Sequence, residues 1–296
     1  MKKNHILIVV IVSLNLFGCV PKTQTNLSFT PTKDVTANDP IANLPSTLTV
    51  EETELPMATM NAAQSAFVIK QLLLQNDYCD TPCAFGIAPG NTTLKEAQAT
   101  FVNLGSPLIR TTQLSNLDFY EALFGPKNGL EDGLSFQIIL TIEDQDIKNM
   151  RASISLINYE DTSVHSQWKA YSPESVLNRY GVPSKVSFSL SYPAELGSSP
   201  NAVWYDMIVY FDSINLILEY SSHPINSLSK EGNTVDVCPI TDQFEGVNIW
   251  LGKEPINPPV LGFPLENVSP FSVKEFYDVI VINNGCFSLD ASKFSR

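Results

Sequence analysis

Four cysteines of this 296-residue chain are spaced in ways that raise redox chemistry, metal binding or disulfide formation as possibilities. Cys79 and Cys83 lie in C-D-T-P-C, and Cys238 and Cys286 lie further along the chain. A thioredoxin-like site needs C-x-x-C at a strand–helix junction, whereas this spacing is C-x-x-x-C with a proline inside. Zinc needs further Cys or His ligands at paired spacing, which the chain lacks. We therefore expect no metal and no other cofactor.

The N-terminus indicates where these thiols reside. Lys2 and Lys3 precede an apolar run over residues 6–16, which is too short to cross a membrane and is typical of a signal peptide. The L-F-G-C that ends at Cys19 resembles the lipobox of bacterial lipoproteins, in which the cysteine is diacylated and becomes the new N-terminus. Several acyl chains on one residue would anchor the chain firmly. An ordinary signal peptide with a chance cysteine is the alternative.

The resemblance to a lipobox implies an extracytoplasmic protein that is lipid-anchored to the cell membrane. Val20, and not an aspartate, follows the cysteine. By analogy with Gram-negative sorting, the protein would not be retained at the inner membrane, and it would reach the outer membrane if the host has one. Thiols tend to oxidise outside the cytoplasm.

We therefore interpret the four remaining cysteines as structural disulfides. Three pairings are possible, and the simplest joins Cys79 to Cys83 and Cys238 to Cys286. In the chain-entropy model the longer loop would contribute about 4 kcal/mol to stability. The shorter one would mostly shape the turn before the next helix.

Charge excludes some partners. The chain carries 18 basic and 31 acidic side chains, a net charge of −13. Removal of residues 1–18 would take away two lysines and leave −15. A surface this acidic argues against binding nucleic acid or anionic lipid, since both require basic patches.

The chain divides into five segments by composition and pattern. Residues 1–18 are the signal peptide, and residues 19–57 are rich in Thr, Pro, Asn, Asp and Glu, which predicts a flexible tether. A first α+β unit over 58–160 and a second over 161–230 are followed by a strand-helix extension over 231–296. Capping patterns predict helices that begin after Asn61, Thr93, Ser172 and Ser272. Alternating apolar residues predict strands near 134–142, 150–156, 186–192, 203–211, 216–220 and 247–251.

The two units share a local order of elements. Each has a helix that ends in Gly-x-Pro, at Gly105 and at Gly181, and each continues into strands. This repetition predicts a disulfide-stapled α+β protein of two tandem units, each a helix plus an antiparallel β-meander, which lie side by side or share one antiparallel sheet. The alternative is that the helix–Gly–x–Pro–strand order is a common local pattern of proteins in general and that the two units are unrelated.

Two family resemblances accompany this pattern. The run N-D-Y-C-D-T-P-C-A-F-G-I-A-P-G-N-T-T and the later I-V-Y-F-D-S-I-N-L-I-L-E-Y and F-Y-D-V-I-V-I-N-N-G-C-F resemble a family of bacterial (Chloroflexi-type) lipoproteins over most of residues 60–296. That family brings no known activity. The order G-x-x-P-G-x-T, helix, L-G-x-P and strands is similar to the BamE/SmpA outer-membrane lipoproteins, and tandem copies would resemble the β-lactamase-inhibitor protein. These proteins bind other proteins, which implies non-catalytic binding here.

Catalytic patterns are sparse. There is no G-x-S-x-G, phosphate-binding loop, dinucleotide fingerprint or H-E-x-x-H. His165 and His223 lie in polar or turn sequence. The acidic groups at Glu143–Asp146 and Glu160–Asp161 lie where hairpins and loops normally carry charge. A two-carboxylate glycosidase stays open, since its partners are distant in sequence.

Trp250 is the one candidate binding residue. If its strand alternates, the indole points away from the apolar face of Val247, Ile249 and Leu251, next to a proline-rich segment. An exposed tryptophan there would contact a protein or a carbohydrate, and packing on the C-terminal helix is the alternative. We expect a lipid-anchored, non-catalytic binding or scaffold protein of the cell envelope with a possible envelope protein partner. A small-ligand or glycan binder is the second hypothesis and a hydrolase the third.

Overall fold

The computed structural model describes residues 60–75, 82–128, 130, 133–156, 165–191, 202–225, 229, 233–253, 262–283 and 285–294, with only the backbone described at 165 and 166. All of them belong to one compact unit, Glu54–Arg296. The predicted signal peptide and tether lie outside the described residues. None of the helices in these ranges has the length and hydropathy that a membrane crossing requires.

Four of the five described α-helices begin where the sequence predicts, and the short fourth helix was not predicted. They are α1 (Ala62–Leu74), α2 (Leu94–Asn103), α3 (Pro173–Tyr180), α4 (Leu265–Val268) and α5 (Val273–Val281). Asn61, Thr93 and Ser272 each form a capping box, and the Ser172 hydroxyl caps α3. Each cap satisfies backbone N–H groups that the first helical turn leaves unpaired. Gly105 and Gly181 adopt positive φ angles of +76° and +81° just after α2 and α3, a conformation that glycine tolerates best.

The described residues form eleven strands: β1 (Ile109–Leu114), β2 (Leu117–Phe124), β3 (Leu134–Glu143), β4 (Asp146–Leu156), β5 (Lys185–Ser191), β6 (Trp204–Phe211), β7 (Leu216–Ser222), β8 (Thr234–Val237), β9 (Phe244–Gly252), β10 (Phe263–Pro264) and β11 (Phe287–Asp290). Nine of them form one antiparallel sheet in the order β1-β2-β3-β4-β9-β7-β6-β5-β10. β8 and β11 form a separate two-stranded sheet.

The expected tandem arrangement is wrong. β1–β4 and β5–β7 are both meanders, but they do not form two units. β9, from the segment expected to be an extension, lies between them and pairs with β4 through Met150↔Leu251 and with β7 through Leu216↔Leu251. One sheet results because β9 is apolar enough to be an interior strand and satisfies the free edges of both meanders.

The main core covers one face of the sheet, which we call the inner face. Alternate residues of the strands, such as Ile138, Ala152 and Ile249, share one buried cluster with helical residues such as Phe101 and Phe276. The opposite, outer face carries the intervening strand residues. The observed fold is therefore one large antiparallel sheet with few helices, in place of the expected α+β units of a helix plus a small β-meander.

Candidate interaction surface

Cys238 and Cys286 form a disulfide, as the sequence analysis expected. The antiparallel register of β8 and β11 pairs Val237 with Phe287. Cys238 follows β8 and Cys286 precedes β11, so the two cysteines face each other. Their Cα atoms are 4.1 Å apart. Cys83 is also disulfide-bonded. Its expected partner Cys79, like Cys19, lies outside the described residues.

Trp250 lies on the outer face of the sheet, as alternation predicts, but it is only 8% exposed. It packs with Ile208, Tyr210 and Ile217 in a cluster separate from the main core, which we call the Trp250 cluster. The sheet register explains the grouping, because Trp250 pairs with Ile217 on β7 and Ile217 pairs with Tyr210 on β6. Trp250 is therefore not the exposed side chain that the first hypothesis expected. The cluster also contains no residue of α5, so the alternative, packing of Trp250 on the C-terminal helix, is not observed either.

A polar network runs beside the Trp250 cluster on the same face. The Asn248 side chain accepts hydrogen bonds from Ser153 at 2.6 Å and from Arg151 at 3.2 Å, and it donates to Glu219 at 3.1 Å. The Arg151 guanidinium also lies 5.5 Å from the centre of the Trp250 ring, which allows a cation–π contact. This network connects β4, β9 and β7 across the centre of the sheet.

Glu219 is the acidic side chain of this network, and it is buried, with 6% of its surface exposed. Burial raises the pKa of its carboxyl group, and the hydrogen bond from Asn248 lowers it. The charge of Asp206 adds to the rise, and the charge of Arg151 opposes it. A raised pKa indicates that the buried carboxylate is not fully compensated by its partners.

The other end of the outer face is exposed. Ile109 is 65%, Leu114 60% and Leu123 59% exposed, although these residues are among the larger apolar side chains of the chain. All three lie on the outer face, since their partners in β2 and β3 alternate with the core residues Ala122, Phe124 and Phe136. Partly exposed Phe119 and Ile139 lie on the same face. We call Ile109, Leu114, Phe119, Leu123 and Ile139 the edge patch.

The edge patch adjoins β1, which forms one edge of the sheet. All six residues of β1 are exposed. The register skips Thr111, which makes a β-bulge between Arg110 and Thr112. Arg110 forms an exposed ion pair with Asp118 on β2. The strand therefore offers an accessible backbone edge with one charged side chain.

The residues considered for catalysis do not converge in the described part of the chain. The two ring nitrogens of His223 lie 3.1 and 3.0 Å from the carbonyl oxygens of Pro224 and Asp242. Glu143 pairs with Lys148 at 3.2 Å in the β3–β4 hairpin. The side chain of His165 and the pair Glu160–Asp161 lie outside the description. No group of three or more His, Cys, Asp or Glu side chains among the described residues is placed to hold a metal.

Three shallow grooves in the described region have volumes of about 600, 300 and 720 Å³. Tryptophan, tyrosine and phenylalanine are absent from the linings of these three grooves. Small-molecule sites are mostly apolar and aromatic with a few polar groups. These grooves therefore give no support to the ligand or glycan hypothesis, and the edge patch is the stronger candidate for binding.

Comparison with known proteins adds no family or fold relative: no family model, curated protein or solved structure matches the chain.

Sequence reasoning missed the edge patch. It did not predict β1 or β2, because I-R-T-T-Q-L contains the bulge at Thr111 and so breaks the two-residue period. β2 carries apolar residues on both faces, which also obscures alternation. The available signal was the density of β-branched and aromatic residues over 109–124.

Proposed function

We propose that this chain is a lipid-anchored lipoprotein outside the cytoplasm, attached through Cys19, and that its globular part is a non-catalytic binding module of the cell envelope. The L-F-G-C sequence supports the anchor. The Cys238–Cys286 disulfide fits an oxidising compartment.

The edge patch carries the proposal of binding. Three side chains that are each more than half exposed lie on one face of adjacent strands at an open sheet edge. Soluble proteins rarely expose contiguous apolar groups unless these form an interaction site. The open edge adds backbone N–H and C=O groups that a partner strand can bind.

Few charged side chains lie on the edge patch. Arg110 and its partner Asp118 lie on the inner face. On the outer face Glu121 lies between Ile109 and Ile139 and accepts a hydrogen bond from Gln137 at 2.6 Å. The patch is thus apolar with one acidic side chain, on a chain of net charge −13. Depletion of charged side chains is typical of the centre of a protein–protein contact.

The test places a photo-crosslinking amino acid at Leu123 in the full-length, lipidated protein in its native envelope. The matched control carries the same group at Ile282, which is 70% exposed at the end of α5. We expect a discrete protein adduct from position 123 that is at least about tenfold stronger than any from position 282, since a tenfold ratio corresponds to about 1.4 kcal/mol of preference.

Equal or absent adducts at the two positions would overturn the binding proposal. The anchor is tested separately by Cys19→Ser, which should release the protein from the membrane fraction. A Cys19→Ser protein that stays in the membrane fraction would contradict the lipid anchor.

A further inference from the structure

We infer that the partner of the β1 edge is a second copy of this chain, bound by antiparallel pairing of β1 with β1 about a twofold axis. This inference rests on the proposed binding role of the edge patch. It names the occupant of that surface.

The two edges of the sheet differ in their ability to accept a strand. β10 at one edge has two residues, Phe263 and Pro264, and proline has no N–H to donate. β1 at the other edge has six residues and is exposed throughout. Of these two edges, as the described residues form them, β1 alone offers a strand of ordinary length for pairing.

The bulge gives β1 a symmetric order of outer-face and inner-face side chains, and this order decides whether two copies can pair. Because Thr111 is skipped, Ile109, Thr112 and Leu114 point to the outer face and Arg110 and Gln113 to the inner face. Read from either end, the order of faces is outer, inner, outer, inner, outer. If Thr111 is also skipped in both copies, a strand with this order can pair with itself in the antiparallel direction and keep each paired side chain on its own face.

The side chains that meet in this register are compatible. Ile109 would face Leu114 of the second copy on the outer face at both ends, and Thr112 would face its own equivalent on the axis. Apolar pairs and Thr–Thr pairs are both favourable across strands. The register would bury the two large apolar residues of β1, Ile109 and Leu114, which are 65% and 60% exposed in one copy.

Charge permits the same register. Arg110 would face Gln113 of the second copy, so the only charged residue of β1 does not meet its equivalent. Its own carboxylate partner, Asp118, lies on β2. Like charges placed directly opposite would destabilise the pair, and this register has none on β1. A twofold contact is also self-limiting, because each copy uses its one β1 edge.

Membrane attachment favours this association. Two chains anchored in one membrane surface meet at a higher effective concentration than free chains do. A modest intrinsic affinity is therefore sufficient.

The test uses Thr112→Cys in the full-length, lipidated protein in detergent micelles. Paired Cα atoms in antiparallel strands lie about 4.5 or 5.5 Å apart, and disulfides require roughly 4.4–6.8 Å. Mild oxidation should therefore give a covalent dimer. The matched control is Thr234→Cys, an exposed threonine of β8. We expect at least about ten times more dimer from Thr112→Cys, the ratio that corresponds to about 1.4 kcal/mol of preferred association.

A second readout guards against disulfide scrambling. The mass of the wild-type protein by sedimentation should be that of a dimer, and Leu114→Lys should shift it to the monomer while Ile282→Lys should not. Equal dimer yields at 112 and 234 together with a monomeric wild-type mass would overturn the inference. If the crosslinker at Leu123 then captures a different protein, binding survives and self-pairing is wrong; if it captures nothing, both are wrong.

Discussion

The outer face of the sheet contains two apolar groups that differ in exposure. The members of the Trp250 cluster are at most 8% exposed, whereas Ile109, Leu114 and Leu123 of the edge patch are 59–65% exposed. Both groups arise from the same alternation of side chains along antiparallel strands. The difference shows that apolar residues on one face of one sheet are shielded in the interior strands and exposed at the edge, where we propose that they bind a partner.

Position in the sheet explains much of the contrast. β9, β7 and β6 are interior strands, and each has a paired strand on both sides. Trp250, Ile217 and Tyr210 pair side by side and shield one another. Among the described residues β1 has one neighbouring strand, and Ile109 and Leu114 are accordingly more than half exposed.

Charge insertion should separate the two groups most clearly. Ile217→Lys places an unpaired charge at a position that is 5% exposed, and we expect a loss of about 3–5 kcal/mol in the free energy of unfolding. Ile109→Lys at the exposed edge should change it by less than about 0.5 kcal/mol. Urea denaturation of both variants measures the difference. Similar losses of stability in the two variants would show that the Trp250 cluster and the edge patch do not differ in their contribution to the fold.

Removal of the Cys238–Cys286 disulfide should have the next largest effect. The loop spans 48 residues, and the double variant Cys238→Ser/Cys286→Ser should lose about 4 kcal/mol, since the unfolded chain gains entropy. The bond joins β8 to β11, away from the nine-stranded sheet. Crosslinking from Leu123 should therefore persist below the lowered midpoint of unfolding. Loss of crosslinking in a variant that circular dichroism shows to be folded would contradict this prediction, because binding at the edge patch would then depend on the small sheet.

Substitution of one arginine beside each apolar group compares the two regions through smaller changes in the free energy of unfolding. Arg151→Gln removes the cation–π contact with Trp250 and the bond to Asn248, and we expect a cost of about 1 kcal/mol. Arg110→Gln at the edge removes an exposed ion pair with Asp118 and should cost less than about 0.5 kcal/mol. Thermal unfolding of the two variants gives the ranking. The reverse order would show that the edge ion pair supports the fold.

The smallest effect expected is a change in pH dependence. The folded-state pKa of Glu219 is raised by burial, so its contribution to stability is present below the unfolded pKa and is lost as the pH rises through the folded pKa. Glu219→Gln should therefore flatten the fall in stability that sets in as the pH rises above the usual glutamate pKa, and it should raise the melting temperature at neutral pH by less than about 4 °C. Glu121→Gln, on the same face near the edge patch, is the control. A lower melting temperature for Glu219→Gln at neutral pH would contradict this account.

The sequence predicts local structure in this chain better than pairing. The capping boxes at Asn61, Thr93 and Ser272 mark helix starts because their hydrogen bonds are local. The alternation in β3 and β9 marks strands and their faces. The insertion of β9 between β4 and β7 depends on pairing over about 100 residues, which no local pattern encodes.

The candidate surface was predictable only in part. Alternation gives the direction of Trp250, but its burial depends on Ile217 and Tyr210 of two other strands. The edge patch escapes prediction because the bulge at Thr111 disturbs the period, and because exposure at Ile109 depends on where β1 lies in the sheet.

Hydroxyl-radical footprinting of the full-length lipidated protein tests the division of the outer face most directly. Tryptophan and tyrosine react intrinsically faster than leucine and isoleucine. We nevertheless predict strong modification of Ile109, Leu114 and Leu123 at low protein concentration and weak modification of Trp250 and Tyr210. Modification of the edge patch should fall as the concentration rises and copies pair, and that of Trp250 should not change. A reactive Trp250 beside a protected edge patch at every concentration would contradict the account.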